Sequence, residues 1–254
     1  EHLACDATGT LYTSLDGGAV LRSDTGAEWF ELGNTGGRPL GLRTDGQGGL
    51  WIADSMAGLV HMDADGMITV LATDLDGVPL RFVDDLDVDS DGRIWFSDAS
   101  QRFDYTQVAL DFVEGSRTGR LLRYDPATQR TEVMMSGLFF ANGVTLGPNE
   151  DYVLVNETGM GRVHRLWLKG ERAGEQDVFI DELPGTPDNI RFDGENTFWI
   201  AMPSLRVSLD SLASLPRLRA LLSFLPIPLL EAAAQPASFA IGVNLEGEVI
   251  HNLQ

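Results

Sequence analysis

One phrase recurs along the chain and constrains its fold more than any other feature: a short apolar strand, a polar turn usually containing glycine, then a second strand often carrying Trp or Tyr. It reads "HLACDATGTLYTSL" (2–15), "GLRTDGQGGLWIAD" (41–54), "DLDVDSDGRIWFSD" (85–98), "GVTLGPNEDYVLVN" (143–156) and "NIRFDGENTFWIAM" (189–202). The copies lie roughly 40 to 60 residues apart, a period that marks a repeat architecture. Turn residues such as Asp-Gly, Asn-Glu-Asp and Asp-Pro-Ala separate runs of alternating polarity, as hairpins require. Further strand candidates follow, such as "GLVHMDADGMITVLA" (58–72) and "GRLLRYDPATQRTEVMM" (119–135). Two hairpins in series give four strands per repeat, the arrangement of one β-propeller blade. In the fifth copy the last two strands are displaced to "FAIGVNLEGEVIHNL" (239–253), after a Leu-rich, partly helical, proline-broken insertion at about 203–236.

Five repeats predict one all-β domain over residues 1–254. An open stack of five sheets leaves unpaired edges unless the ring closes. The expected architecture is a six-bladed β-propeller with five blades in this chain. The chain opens at Glu1, at the head of an inner strand, and truncation at both ends is expected. Asp plus Glu number 38 against 18 Lys plus Arg, a net charge of -20. Such a surface repels nucleic acid and anionic membranes. It fits a soluble extracellular, periplasmic or salt-adapted protein, or one that binds cations. The single Cys5 excludes an intramolecular disulfide, and no apolar run reaches membrane-spanning length. The Leu-rich insertion is expected to pack on the propeller, with a lid or a membrane or protein contact patch as the sharper readings. Asn156-Glu157-Thr158 is a glycosylation sequon.

In a propeller the innermost strands line the axis, so polar groups at their heads converge although far apart in sequence. Glu1, Asp84 with Asp85, Asn142, and Asp188 with Asn189 stand before the first strands of copies one, three, four and five. Asn142 is the most telling, because it lies in "FFANGV", where a buried amide is costly unless something binds it. A ring of such oxygens suits a hard cation, Ca²⁺ above all, which also relieves the repulsion among gathered carboxylates. Taken singly, Asn and Asp are ordinary turn residues. Recurrence at equivalent positions argues for a site. The histidines His2, His61, His164 and His251 have no zinc-ligand spacing, and there is no P-loop, dinucleotide fingerprint or nucleophile elbow.

These phrases resemble the six-bladed calcium-dependent propellers: gluconolactonase and senescence marker protein, diisopropyl fluorophosphatase, paraoxonase and the strictosidine synthase-like proteins. "GRPLGLRTDGQGGLWIADSMAGL" (37–59), "FANGVTLGPNEDYVLVNETGMGRVHRLWLKGERAG" (140–174) and "VFIDELPGTPDNIRFDGENTFWIAM" (178–202) are most similar to the branch containing adipocyte plasma membrane-associated protein. The resemblance implies calcium held by Glu1, Asp84, Asn142 and Asp188, with Asn189 added in paraoxonase-like members. It further implies hydrolysis of lactones or aryl esters, with Asp188 as general base or nucleophile. A phosphotriesterase-like activity at the same site, or a non-catalytic propeller stiffened by calcium, are the alternatives. Leu40 stands where the paraoxonase-like branch has a catalytic histidine, and amine–aldehyde condensation is not expected. Asp85 and the aromatics Phe103, Tyr105 and Phe112 of the 99–118 loop are expected to face the substrate.

Overall fold

Alternating polarity turns each copy of the phrase into a hairpin, and a second hairpin extends it to a four-stranded antiparallel sheet. The computed structural model describes residues 2–206, 219, 221–231 and 236–253. The first blade comprises β1 (Leu3–Cys5), β2 (Leu11–Ser14), β3 (Ala19–Ser23) and β4 (Phe30–Asn34). The second comprises β5 (Pro39–Thr44), β6 (Leu50–Asp54), β7 (Gly58–Met62) and β8 (Ile68–Ala72), followed by a small ribbon of β9 (Asp74–Leu75) and β10 (Val78–Pro79). The third runs β11 (Val83–Val88), β12 (Ile94–Asp98), β13 (Gly119–Asp125) and β14 (Arg130–Leu138). The fourth runs β15 (Ala141–Leu146), β16 (Tyr152–Glu157), β17 (Arg162–Trp167) and β18 (Gln176–Ile180). The fifth is β19 (Ile190–Phe192), β20 (Phe198–Ser204), β21 (Pro236–Val243) and β22 (Val249–Leu253), with the insertion between its second and third strands. The chain is thus an all-β propeller with five blades.

Each blade buries its apolar faces against the next. Tyr12 and Val20 meet Leu42, Ile52 and Val60 between blades one and two, and Leu59 meets Leu86 and Phe96 between two and three. Trp95 and Leu121 pack with Val144 and Val153 between three and four, and Leu154 and Val163 with Ile190 and Phe198 between four and five. Each such side chain contributes about 1.5–3 kcal/mol on leaving water, and the inner strands β1, β5, β11, β15 and β19 follow one another in contact.

Three inner strands carry the same irregularity. The pairing of β5 with β6 shifts between Pro39 and Gly41, that of β11 with β12 between Val83 and Leu86, and that of β15 with β16 between Ala141 and Val144. Each shift inserts one residue at the head of the strand, a β-bulge, which re-aims the side chains there. The bulges place Leu40, Asp84 and Asn142 at equivalent positions. They put Gly41, Asp85 and Gly143 at the next position. Glycine there lets neighbouring blades approach: a Cβ on Gly143 would stand 2.5 Å from Asp188 O and 2.6 Å from Ile190 N.

Above the strand heads, the 99–118 loop forms a 3₁₀ turn (Tyr105–Gln107) and a short helix α1 (Val108–Glu114), closed by Gly115 at φ 67°. The described part of the Leu-rich insertion docks here. Arg219 donates to the carbonyls of Val113 (2.8 Å) and Phe112 (2.9 Å), and a helix α2 (Ile227–Glu231) lies against α1. Leu221, Phe224 and Leu229 nevertheless stay exposed, so the described part is not packed apolar side inward along its length. Residues 207–218, 220 and 232–235 of the insertion lie outside the described residues.

Candidate metal centre at the head of the axis

The bulges bring two of the sequence-predicted residues into contact. Asn142 Nδ2 donates to Asp188 Oδ1 at 2.7 Å, while Asn142 Oδ1 is buried with no hydrogen-bond partner. Asp188 is pinned through its backbone: its N–H donates to Ala201 O at 2.9 Å, and its carbonyl accepts from Gly143 N at 3.0 Å and from Asn156 Nδ2 at 2.5 Å. Asp84 occupies the equivalent bulge of blade three and is buried, and the Asn189 carbonyl accepts from Ala201 N at 3.0 Å. Glu1 lies outside the described residues.

An orphaned buried carbonyl oxygen costs about 1–3 kcal/mol, and a cation is the partner that this donor set suits. Of the expected ligands, Asn142 and Asp188 are in contact, while Asp84 and Asn189 stand at strand heads of blades three and five; all four carry oxygen, a hard ligand type. Among the described residues no three His, Cys, Asp or Glu side chains converge as a metal cluster. The pair in contact, Asn142 and Asp188, offers oxygen and neither sulfur nor imidazole, a chemistry that suits a hard cation better than zinc.

Deeper in the channel the chemistry is different. Asp85, expected beside the substrate, is fully buried and both of its oxygens are committed. Oδ1 accepts from Arg191 Nη2 (2.6 Å), and Oδ2 from Arg191 Nη1 (2.8 Å) and Val144 N (2.9 Å). Burial pushes this carboxyl up, and the Arg191 guanidinium more than reverses that, leaving it at about 2. Asp85 is thus a structural anion rather than a pocket residue. Arg191 also donates to Val144 O (2.9 Å), and its Nη2 stands 3.0 Å from His2 Nε2. Burial, then the charge of Arg191, presses the His2 imidazole down to about 3. Arg43 pairs with Asp87 at 2.9 Å. These side chains also satisfy the bare edges of the inner strands: Leu42 N donates to His2 Nδ1 (2.8 Å), Leu146 N to Asp87 Oδ2 (2.8 Å) and Phe192 N to Thr145 Oγ1 (3.3 Å). Beyond this plug, at the far ends of the inner strands, lies a cavity of about 470 Å³ lined by Arg43, Asp87, Thr145, Glu150 and Arg191 among others.

The aromatic candidates sit above the strand heads. Tyr105 meets Phe82 edge-on (5.9 Å between centroids), and Phe112 tilts against Phe139 (5.5 Å) and Phe140 (5.0 Å). Leu40 joins this layer as a buried apolar residue. Phe103 lies beneath the Arg102 guanidinium at 5.4 Å. Tyr105 and Phe112 are half-buried. Phe140 itself adopts φ 62°, a conformation that a bulky side chain rarely occupies, two residues before Asn142.

A set of acids missed in the sequence holds these heads in place. The last residue of the second strand in blades two, three and four is Asp54, Asp98 or Glu157, and each accepts the backbone N–H of the residue entering the neighbouring inner strand. Arg38 N donates to Asp54 Oδ1 at 2.8 Å, Phe82 N to Asp98 Oδ1 at 3.1 Å and Phe139 N to Glu157 Oε1 at 2.9 Å. Asp98 is paired with Arg120 (2.5 Å), and Glu157 with Arg162 (2.6 Å) and His164 (2.7 Å). His164 thus serves a buried acid. The signal was present: "IAD", "FSD" and "VNE" close the second strands of the repeated phrases.

Five four-stranded antiparallel blades, with polar residues at the inner strand heads and ion pairs beneath them, define a β-propeller. Its lineage is more specific. Residues 84–171 match the strictosidine synthase family model and residues 1–23 the N-terminal strictosidine synthase-like model. The chain belongs to the strictosidine synthase-like family. It is 42% identical over 196 residues to strictosidine synthase-like protein 13 of Arabidopsis thaliana, covering 76% of this chain and 48% of that protein. It is 41% identical over 177 residues to adipocyte plasma membrane-associated protein of Gallus gallus, covering 68% of this chain and 43% of that protein. The chain therefore spans about half the length of the curated relatives it matches. Among solved structures, a gluconolactonase from Xanthomonas campestris superposes with a TM-score of 0.71 at 18% identity, over all of this chain and 74% of the other. A calcium-binding protein, regucalcin, from Agrobacterium tumefaciens superposes with a TM-score of 0.67 at 15% identity, over 99% and 72% respectively.

Proposed function

We propose that the whole protein is a six-bladed propeller hydrolase of lactones or aryl esters that depends on an axial calcium ion. The observation that carries this reading is the buried, unpartnered Asn142 Oδ1 beside the Asp188 carboxylate. The gluconolactonase and the calcium-binding regucalcin among the structural neighbours support it. Asp84, Asn142, Asp188 and Asn189, with Glu1, hold the ion. When bound, calcium supplies positive charge that polarises the substrate carbonyl and stabilises the anion developing on it. Asp188 takes the proton of an attacking water as general base, or attacks the carbonyl itself; both roles need the same carboxylate in the same place. Tyr105 and Phe112, with the buried Phe139, Phe140 and Leu40, form an apolar layer near the site that favours an uncharged acyl substrate. A sixth blade, contributed by further sequence, closes the ring.

The test is hydrolysis by the full-length protein of a panel of γ- and δ-lactones and phenyl esters, with a phosphotriester in parallel. Turnover abolished by chelation, restored by calcium and lost in Asp188→Asn is expected. Bound calcium without turnover on any of these substrates would instead make the ion a stiffener of a non-catalytic propeller.

A further inference from the structure

The triplet Asn156-Glu157-Thr158 reads in the sequence as a glycan acceptor, but all three side chains are buried and each bonds a backbone group, Asn156 through Nδ2 alone. Asn156 donates from Nδ2 to Asp188 O (2.5 Å), Thr158 from Oγ1 to Pro187 O (2.7 Å), and Glu157 accepts from Phe139 N (2.9 Å). The backbone N–H of Thr158 also donates to Phe140 O at 3.0 Å. Asn156 and Glu157, adjacent in β16, point to opposite faces, and Thr158 opens the 3₁₀ turn that follows the strand. The two faces reach the two chain segments that meet at the site: Pro187–Asp188 on one side, and Phe139–Phe140, just ahead of Asn142, on the other.

Comparison between blades shows that Asn156 is specific to this place. The residue opposite the bulge is Ala53 in blade two, Ser97 in blade three and Asn156 in blade four. Ser97 serves its own bulge, accepting from Asp85 N at 3.0 Å. In blade four Gly143 stands at that bulge, and its N–H is directed to Asp188 O. The longer Asn156 side chain reaches past the bulge to the same carbonyl. Asp188 O thus takes two donors from blade four, while Asp188 Oδ1 takes a third from Asn142.

We propose that Asn156 and Thr158 are positioning residues for Asp188, fixing the Pro187–Asp188 backbone so that the carboxylate meets Asn142 at the axis, and that a glycan at Asn156 is incompatible with the fold. The calcium consequence rests on the functional reading above; the backbone consequence does not. A misplaced ligand weakens cation binding because the site's other oxygens no longer converge.

The experiment compares full-length parent, Asn156→Leu, Thr158→Val and the conservative Thr158→Ser. Calcium alone is titrated calorimetrically into chelator-treated protein, and amide hydrogen exchange is followed at Gly143, Asp188 and Ala201 without metal. Expected are at least a tenfold loss of calcium affinity in Asn156→Leu, a several-fold loss in Thr158→Val, near-parent affinity in Thr158→Ser, and faster exchange confined to those three amides. Thermal midpoints of the chelated proteins check that the variants remain folded. Calcium affinity within twofold of the parent in both Asn156→Leu and Thr158→Val would overturn the proposal. If the parent binds no calcium, the functional reading fails and the exchange data decide alone: faster exchange at the three amides upholds the positioning role, and unchanged exchange overturns it.

Discussion

At the scale of single residues, the axis is governed by what Arg191 neutralises. Its guanidinium joins Asp85 of blade three, the Val144 carbonyl of blade four and the neighbourhood of His2 in blade one. Removing one member of a buried pair leaves an uncompensated charge, which costs about 3–5 kcal/mol. Arg191→Met is expected to lower stability to urea by that amount, with part of the loss recovered in Arg191→Met/Asp85→Asn; a loss under about 1 kcal/mol would show that the plug does not hold the blades. The two groups beside Arg191 also set the acid behaviour. Folded His2 titrates at about 3 against 6.5 when free, so the unfolded chain binds the extra proton between those values and stability falls as pH drops through that window. Asp85, at about 2 against 3.8, contributes stability above the higher value that is lost as pH falls through the lower one. In His2→Gln the decline in urea midpoint between about pH 6.5 and pH 4 should be shallower than in the parent, while the decline below about pH 4 persists. Parallel curves would assign the upper window to other groups.

At the scale of elements, the bulge is the device that sets the heads of the repeated inner strands apart from their regular parts. It inserts one residue at the head of β5, β11 and β15 and so turns Leu40, Asp84 and Asn142 alike. Gly143 completes the device by letting β19 approach. Gly143→Ala places a methyl group against backbone atoms of Asp188 and Ile190, which cannot step aside as a side-chain tip could. It should cost about 1–3 kcal/mol in urea unfolding and weaken calcium binding; parent-like values for both would show that the blades have slack at this junction. That Asp84, Asn142 and Asp188 stand at inner strand heads was legible in the sequence because a polar residue recurs at one offset in an apolar phrase. The bulge was not, because a single extra residue leaves the alternation on either side intact. Asp54 and Asp98 were visible as the acids that end two of the phrases and Glu157 as the acid just past a third, but an acid in that place looks the same whether it caps a surface turn or clasps a buried N–H. The Arg191–Asp85 pair joins residues of different blades, and no local pattern announces such a partner.

At the scale of the molecule, repetition made the fold readable and the site only in part. Five copies of one phrase specify five blades, and each blade completes a core with its neighbour. The proposed function draws on the places where the copies differ: Leu40 against Asp84 and Asn142, and Ala53 against Ser97 and Asn156. Those differences place polar oxygen-bearing side chains at the heads of blades three, four and five, above the Arg191–Asp85 and Arg43–Asp87 ion pairs. The net charge of -20 favours a cation there at long range, an attraction that added salt weakens. The most direct measurement is a calcium titration by calorimetry into chelator-treated full-length protein, run beside Asp188→Asn. The predicted result is saturable binding of a stoichiometric ion that the substitution abolishes or weakens by at least tenfold. Absence of binding at millimolar calcium, or binding that Asp188→Asn leaves unchanged, would contradict an axial calcium site at these residues.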